Sequence, residues 1–129
     1  MQIKSGIDII EVDRIKNSVE ELGEDFVKRV YTDQEIKYCE SKNKNKYQCY
    51  AARFAVKEAT FKAISTLLKD KYSISWKNIE TIHNQGGKPI VRFVAISKEV
   101  EKELDKIDSI DVSISHIKEY AVASVNILL

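Results

Sequence analysis

Apolar and polar positions along the chain alternate in ways that predict a mixed set of elements. Residues 3–12 (IKSGIDIIEV) are largely β-branched and apolar and read as a strand. Strand alternation turns Asp8 away from its neighbours Ile7 and Ile9 and to the side of Ile10. Asp13 is placed to cap a helix with an Ile15, Val19, Leu22 stripe that Gly23 ends. Phe26, Val27 and Val30 suit another short helical turn. Thr32-Asp33-Gln34-Glu35 then fits a capping box, with Glu35 three residues after Thr32. The polar run SKNKNK at 41–46 reads as a loop.

The strongest helical signal covers 47–69, which holds no Gly or Pro and repeats Tyr47, Phe54, Phe61 and Leu68 every seven residues. Alanines at 51, 52, 55, 59 and 63 allow a neighbouring element to approach closely. Glu58 and Lys62, four apart, read at their simplest as a solvated ion pair. Strand-like segments follow at 72–76 and 79–83, a turn at Gly86-Gly87-Lys88-Pro89, and a strand at 90–94. Ser97 is a cap for a helix carrying Val100, Leu104 and Ile107. Residues 110–115 alternate, with Ile110, Val112 and Ile114 on one face and Asp111, Ser113 and Ser115 on the other. His116 to Glu119 connect this strand as a hairpin to a last apolar strand at 120–128. A long helix segregated from antiparallel strands indicates an α+β fold rather than a doubly wound sheet.

Composition narrows the function classes. A length of 129 residues fits one domain. Lys plus Arg number 21 against 20 for Asp plus Glu, so bulk charge gives no reason to expect nucleic-acid binding. No apolar run approaches a membrane span, and the first residues do not read as a signal peptide, so a cytoplasmic protein is expected. Cys39 and Cys49 have no second cysteine pair for a zinc site and are expected as reduced thiols. Gly86-Gly87 lies outside any GxGxxG or Walker A frame, so neither device holds a nucleotide here.

Three stretches carry a resemblance: GIDIIEVDRI at 6–15, ARFAVKEA at 52–59 and VSISHIKEYAVA at 112–123, with the Gly87-Lys88-Pro89 turn between the last two. In order and separation they resemble the holo-(acyl carrier protein) synthase family, the small bacterial 4′-phosphopantetheinyl transferases. The resemblance implies that fold, with a long central helix on an antiparallel sheet. It implies transfer of the phosphopantetheine arm of coenzyme A to a serine of an apo acyl carrier protein, releasing adenosine 3′,5′-bisphosphate. It further implies Mg²⁺ held by Asp8 and Glu58, with Lys62 at the pyrophosphate. Hard oxygen ligands and few protein carboxylates suit that ion. Arg53 and His116 match positions that contact coenzyme A phosphates, including the 3′-phosphate, and Lys88 places a charge near the nucleotide. Asp8 or Glu58, acting through a metal-bound water, is the preferred general base, and a mechanism relying mainly on positioning and charge is the alternative.

Arg14 matches a basic docking residue for the acidic carrier protein, and a homotrimer with sites between subunits is implied. Ser18, Glu21 and Glu24 depart from the positive or apolar docking pattern, while Lys16, Lys28 and Arg29 offer charge from another register. Residues 63–72 lack the glycine-rich turn common in relatives, which suggests a longer helix. The alternatives are a transferase serving a non-fatty-acid carrier, and a non-catalytic protein that binds coenzyme A or a carrier.

Overall fold

The computed structural model describes residues 1–129. Its strands are β1 (Ile3–Glu11), β2 (Ile79–His83), β3 (Pro89–Phe93), β4 (Ser109–His116) and β5 (Tyr120–Leu128). Its helices are α1 (Val12–Leu22), α2 (Glu24–Val30), α3 (Asp33–Glu40), α4 (Lys46–Ile64) and α5 (Lys98–Leu104). β1, β5 and β4 form one antiparallel sheet in that order, and β2 with β3 forms a separate hairpin. The α+β expectation holds.

α4 lies across the inner face of the three-stranded sheet, chiefly against β1 and β5. Twelve of its residues are buried, on every side of the helix, as expected of a central rather than an amphipathic surface helix. The small side chains Ala55, Ala59 and Ala63 let it lie close to the sheet. Closest approach falls at Gly6, where a Cβ would stand 1.9 Å from the Ala59 carbonyl oxygen. Only glycine fits there. The seven-residue aromatic repeat is not the buried seam: Tyr47, Phe54 and Phe61 are half-buried at its margins.

Side chains of the inner sheet face follow the alternation read from sequence. Val112 is buried and Ile110 and Ile114 pack against the core, while Asp111, Ser113 and Ser115 face outward. On β1 the inner set is Gly6, Asp8 and Ile10, which leaves Ile3, Ile7 and Ile9 exposed by 70%, 63% and 66% on the outer face. The register sets Asp8 beside Ala123 and Ala123 beside Ile114.

Beneath α4 lies a buried ionic knot. Lys57 Nζ donates to Glu35 Oε1 at 2.8 Å, to the Trp76 carbonyl at 3.0 Å and to the Ile79 carbonyl, and both charged side chains are fully buried. Glu35 also accepts from the amides of Thr32 at 2.9 Å and Thr81 at 3.0 Å. The capping box is therefore real, and its glutamate also ties α3 to α4 and β2.

Four local expectations are corrected. α1 starts at Val12 with Glu11 as an N-cap lacking a side-chain bond, so Asp13 lies within the first turn rather than capping it. α4 ends at Ile64 and passes into a 3₁₀ turn over Ser65–Leu67, so the helix stops short of 69 and is not extended. The strand expected at 72–76 is instead 3₁₀ turns at Lys71–Ser73 and Trp76–Asn78, fastened by Asp70 and Asn78 side chains bonding local amides. Cys39 and Cys49 are joined as a disulfide, with Cα atoms 5.4 Å apart, because the connection after α3 folds its end against the start of α4.

Candidate active site

Two clusters of chemically active side chains flank α4, toward its opposite ends. The first gathers Asp8 from β1 with Glu58 and Lys62 from α4. Gly6 sets this approach, since the contact that excludes a Cβ brings the next inward residue of β1, Asp8, over the same stretch of helix. Lys62 Nζ donates to the Ile7 carbonyl at 2.8 Å and lies 3.4 Å from Asp8 Oδ1. The expected Glu58–Lys62 surface pair is thus replaced: Lys62 pairs with Asp8 across the helix–strand contact. Glu58 is half-buried, and burial pushes its carboxyl above the usual range, with the neighbouring Asp8 charge adding to the rise. The Trp76 indole N–H and Lys62 act in the opposite direction.

Two neighbouring carboxylates, with the Asp8 charge raising Glu58 and no third acidic, His or Cys ligand grouped with them, are a donor set suited to Mg²⁺. Such an ion keeps waters and substrate phosphates in its remaining positions, so the residues present fit it. Glu58 and Lys62 also form the rim of a cleft of about 690 Å³. Phe61, Leu68, Ile74 and Trp76 supply its apolar wall. The 3₁₀ turns that replaced the expected strand supply part of that wall, with Trp76 in the second turn and Ile74 between the two.

The second cluster lies where the N-terminal half of α4 meets β4 and the β2–β3 hairpin. Arg53 and His116 line one cavity of about 390 Å³ with Lys42, Gln48 and His83. His116 Nδ1 is 2.9 Å from Gln48 Oε1; a hydrogen bond there puts the proton on Nδ1 and leaves Nε2 free. Arg53 is only 4% exposed, and its Nε has no partner. The nine-residue step from Arg53 to Lys62 separates the clusters by about 14 Å along the helix axis.

The structure therefore brings Asp8, Glu58 and Lys62 together, and Arg53 and His116 together, but not the two groups with each other. Lys88 leaves the turn to pair with Asp111 at 2.9 Å, an exposed bond beside the second cavity. Arg14 is exposed on α1, next to Ile9 and Tyr120. Sequence reasoning did not single out Lys42, Tyr38, Gln48 or His83. The one available signal was that His83 ends the strand immediately before the Asn84–Pro89 turn.

The sequence pattern of the 4′-phosphopantetheinyl transferase superfamily matches residues 4–125. The chain is 46% identical over 123 residues to holo-[acyl-carrier-protein] synthase of Ruminiclostridium cellulolyticum, covering 95% of this chain and 90% of that one. Among solved structures it is similar to the Helicobacter pylori holo-[acyl-carrier-protein] synthase in complex with coenzyme A, with TM-score 0.78 and 28% identity over 96% of this chain and 99% of that one. It is also similar to the Bacillus anthracis holo-(acyl-carrier-protein) synthase in complex with CoA (3′,5′-ADP), with TM-score 0.74 and 33% identity over 96% and 94% of the two chains. The chain belongs to the 4′-phosphopantetheinyl transferase superfamily, within its holo-[acyl-carrier-protein] synthase family. No helix is long and apolar enough to cross a membrane.

Proposed function

We propose that this chain, as one catalytic domain over residues 1–129, transfers the 4′-phosphopantetheine of coenzyme A to a serine hydroxyl of an apo acyl carrier protein. The observation that carries the reading is the Asp8–Glu58–Lys62 group, whose Glu58 and Lys62 line a cleft with one apolar wall. Asp8 and Glu58 are the residues that would hold Mg²⁺. Bound there, the ion supplies charge stabilisation to the pyrophosphate undergoing cleavage. Lys62, anchored on the Ile7 carbonyl, adds a fixed positive charge for the phosphate oxygens.

In the reaction the serine oxygen forms a bond to the β-phosphorus of coenzyme A. The bridging P–O bond breaks, and adenosine 3′,5′-bisphosphate leaves with the electron pair. The serine proton passes through a water to Glu58 or Asp8. The apolar wall of Phe61, Ile74 and Trp76 suits the uncharged pantetheine arm, and Arg53 with His116 suits the 3′-phosphate. Lys88 adds positive charge near the nucleotide, and Arg14 meets the acidic carrier.

The family resemblance implies a homotrimer, in which one copy's Asp8 group would face the next copy's Arg53 group; the separation of the two clusters within one copy agrees with sites shared between copies. The outward apolar residues Ile3, Ile7 and Ile9 on β1 suit burial in such an interface. A cytoplasmic setting, where coenzyme A and carrier protein meet, completes the reading.

The test is intact-mass analysis of apo acyl carrier protein incubated with the protein, coenzyme A and Mg²⁺. A gain of about 340 Da, one phosphopantetheine, is expected, and it should disappear with EDTA or with Asp8→Ala. Absence of the gain with several validated carriers would overturn the reading.

A further inference from the structure

Both histidines of the chain, His83 and His116, line the same cavity. Arg53 and Lys42 join them, and no carboxylate does. The proposal above uses His116 and Arg53; His83 and Lys42 remain without a role. His83 stacks on Tyr38, with ring centroids 4.9 Å apart and planes 20° from parallel. Arg53 Cζ lies 4.3 Å and Lys42 Nζ 4.6 Å from the centroid of that same Tyr38 ring. One aromatic ring therefore organises three basic groups. The two buried side-chain polar atoms without a partner, Arg53 Nε and Thr81 Oγ1, belong to residues that adjoin His83 in the neighbouring cavity.

We infer that His83 is a phosphate-selecting residue of this cavity, taking up a proton as a dianionic phosphate binds. The inference rests on the reading that the cavity receives the 3′-phosphate of coenzyme A. Its chemistry follows from the ring contacts. Arg53 Nη2 stands 3.5 Å from His83 Nδ1 and has only hydrogens to offer, so Nδ1 accepts and the free ring is neutral with its proton on Nε2. Burial, Arg53 and Lys42 all disfavour the charged ring in the empty cavity. The other groups facing it add no negative charge: Tyr38 is a phenol, His116 is held by Gln48, and the buried carboxylates behind them are engaged, Glu35 by Lys57 and backbone amides and Glu80 by Arg92. A phosphate that draws the Arg53 N–H toward itself frees the Nδ1 lone pair. It also reverses the local sign of charge, so the ring gains a proton from solvent and donates to the phosphate. A singly charged or absent phosphate provides less reason for either change.

Calorimetric titration of the full chain tests this with two probes, adenosine 3′,5′-bisphosphate and adenosine 5′-monophosphate. Each is run at pH 7.5 in two buffers of different ionisation enthalpy, so that proton uptake is counted. Wild-type protein is expected to prefer the bisphosphate and to take up protons with it alone. His83→Gln keeps a neutral donor of similar reach. It should lose the uptake and about tenfold or more of the preference, the scale of one charge-assisted hydrogen bond. His116→Gln should bind more weakly yet retain uptake. Equal preference and uptake in wild type and His83→Gln, or uptake abolished only by His116→Gln, overturns the role of His83 while leaving the transferase reading intact. Failure of wild-type protein to bind the bisphosphate at all overturns both.

Discussion

Gly6→Ala is the sharpest available probe of the link between the helix–strand contact and the site. The added Cβ would stand 1.9 Å from the Ala59 carbonyl oxygen and 2.9 Å from both the Ala59 carbonyl carbon and the Ala63 amide nitrogen. All three are backbone atoms of α4 and cannot rotate away. Tolerable contact begins near 3.0 Å, so helix and strand must part by roughly 3.0 − 1.9 = 1.1 Å. Overpacking of this kind costs about 1–3 kcal/mol. For a chain of this size each kcal/mol lowers Tm by about 3–5 °C, so a fall on the order of 3–15 °C is expected. Asp8 is two residues along β1, and Glu58 and Lys62 flank Ala59 and Ala63 on α4. The same displacement therefore opens the acidic pair, and an error near 1 Å in a reacting geometry costs about 10²-fold in rate. Thermal denaturation and the mass-shift assay, both run well below the variant's Tm, separate the two effects. A variant with wild-type Tm and wild-type transfer rate would refute the steric argument. A lowered Tm with an unchanged rate would refute the claim that this contact sets the site.

Other outcomes follow from the same geometry. Lys57→Met strands the Glu35 carboxylate in the core and should cost about 3–5 kcal/mol, whereas Lys57→Met with Glu35→Leu should recover much of that loss in urea unfolding. Because the Glu58 carboxyl is raised in the folded chain, its protonated form favours folding, and that contribution is lost as pH rises through the raised value. Glu58→Gln should therefore raise the Tm of EDTA-treated protein slightly at pH 8 and have little effect at pH 4, while abolishing transfer. Transfer by the unaltered protein should in turn fall on acidification, as protonated carboxylates no longer hold the ion, which a rate profile between about pH 4 and about pH 8 reads directly. If sites form between copies, refolding equal amounts of Asp8→Ala and His116→Ala chains together should restore about a quarter of wild-type transfer by random assembly; no recovery would count against shared sites.

Much of the architecture was legible because it is written in short-range patterns. The period-two alternation at 110–115 fixes which side chains face the helix, and the Thr32–Glu35 spacing announces its own cap. Asp8 stood out because a carboxylate on an otherwise apolar strand needs a reason. What remained hidden depends on contacts between distant segments. Lys57 and Glu35 look like surface residues until α3, α4 and β2 close around them, 22 positions apart. The apolar content of 72–76 suggested a strand, but Asp70 and Asn78 offer the local amides closer partners than any neighbouring strand does. The cysteine pairing was missed because ten intervening positions say nothing of distance until a 3₁₀ turn brings two helices together. His83 escaped notice because its meaning lies in the ring it stacks on, not in its sequence neighbours.

The strand register also governs how this molecule comes into being. β1 pairs only with β5, Ile3 opposite Leu128, so the hydrogen-bonding partner of the first strand leaves the ribosome after every other element of the fold. At about 5–20 residues per second, β1 waits several seconds with its backbone amides and carbonyls unpaired, while α1 to α4 gather beneath a sheet that does not yet exist. Long-range pairings of this kind slow folding and prolong exposure of sticky intermediates. Ribosome-bound chains lacking β5 should remain protease-sensitive throughout α4, and protection should arrive in one step once the final strand clears the exit tunnel.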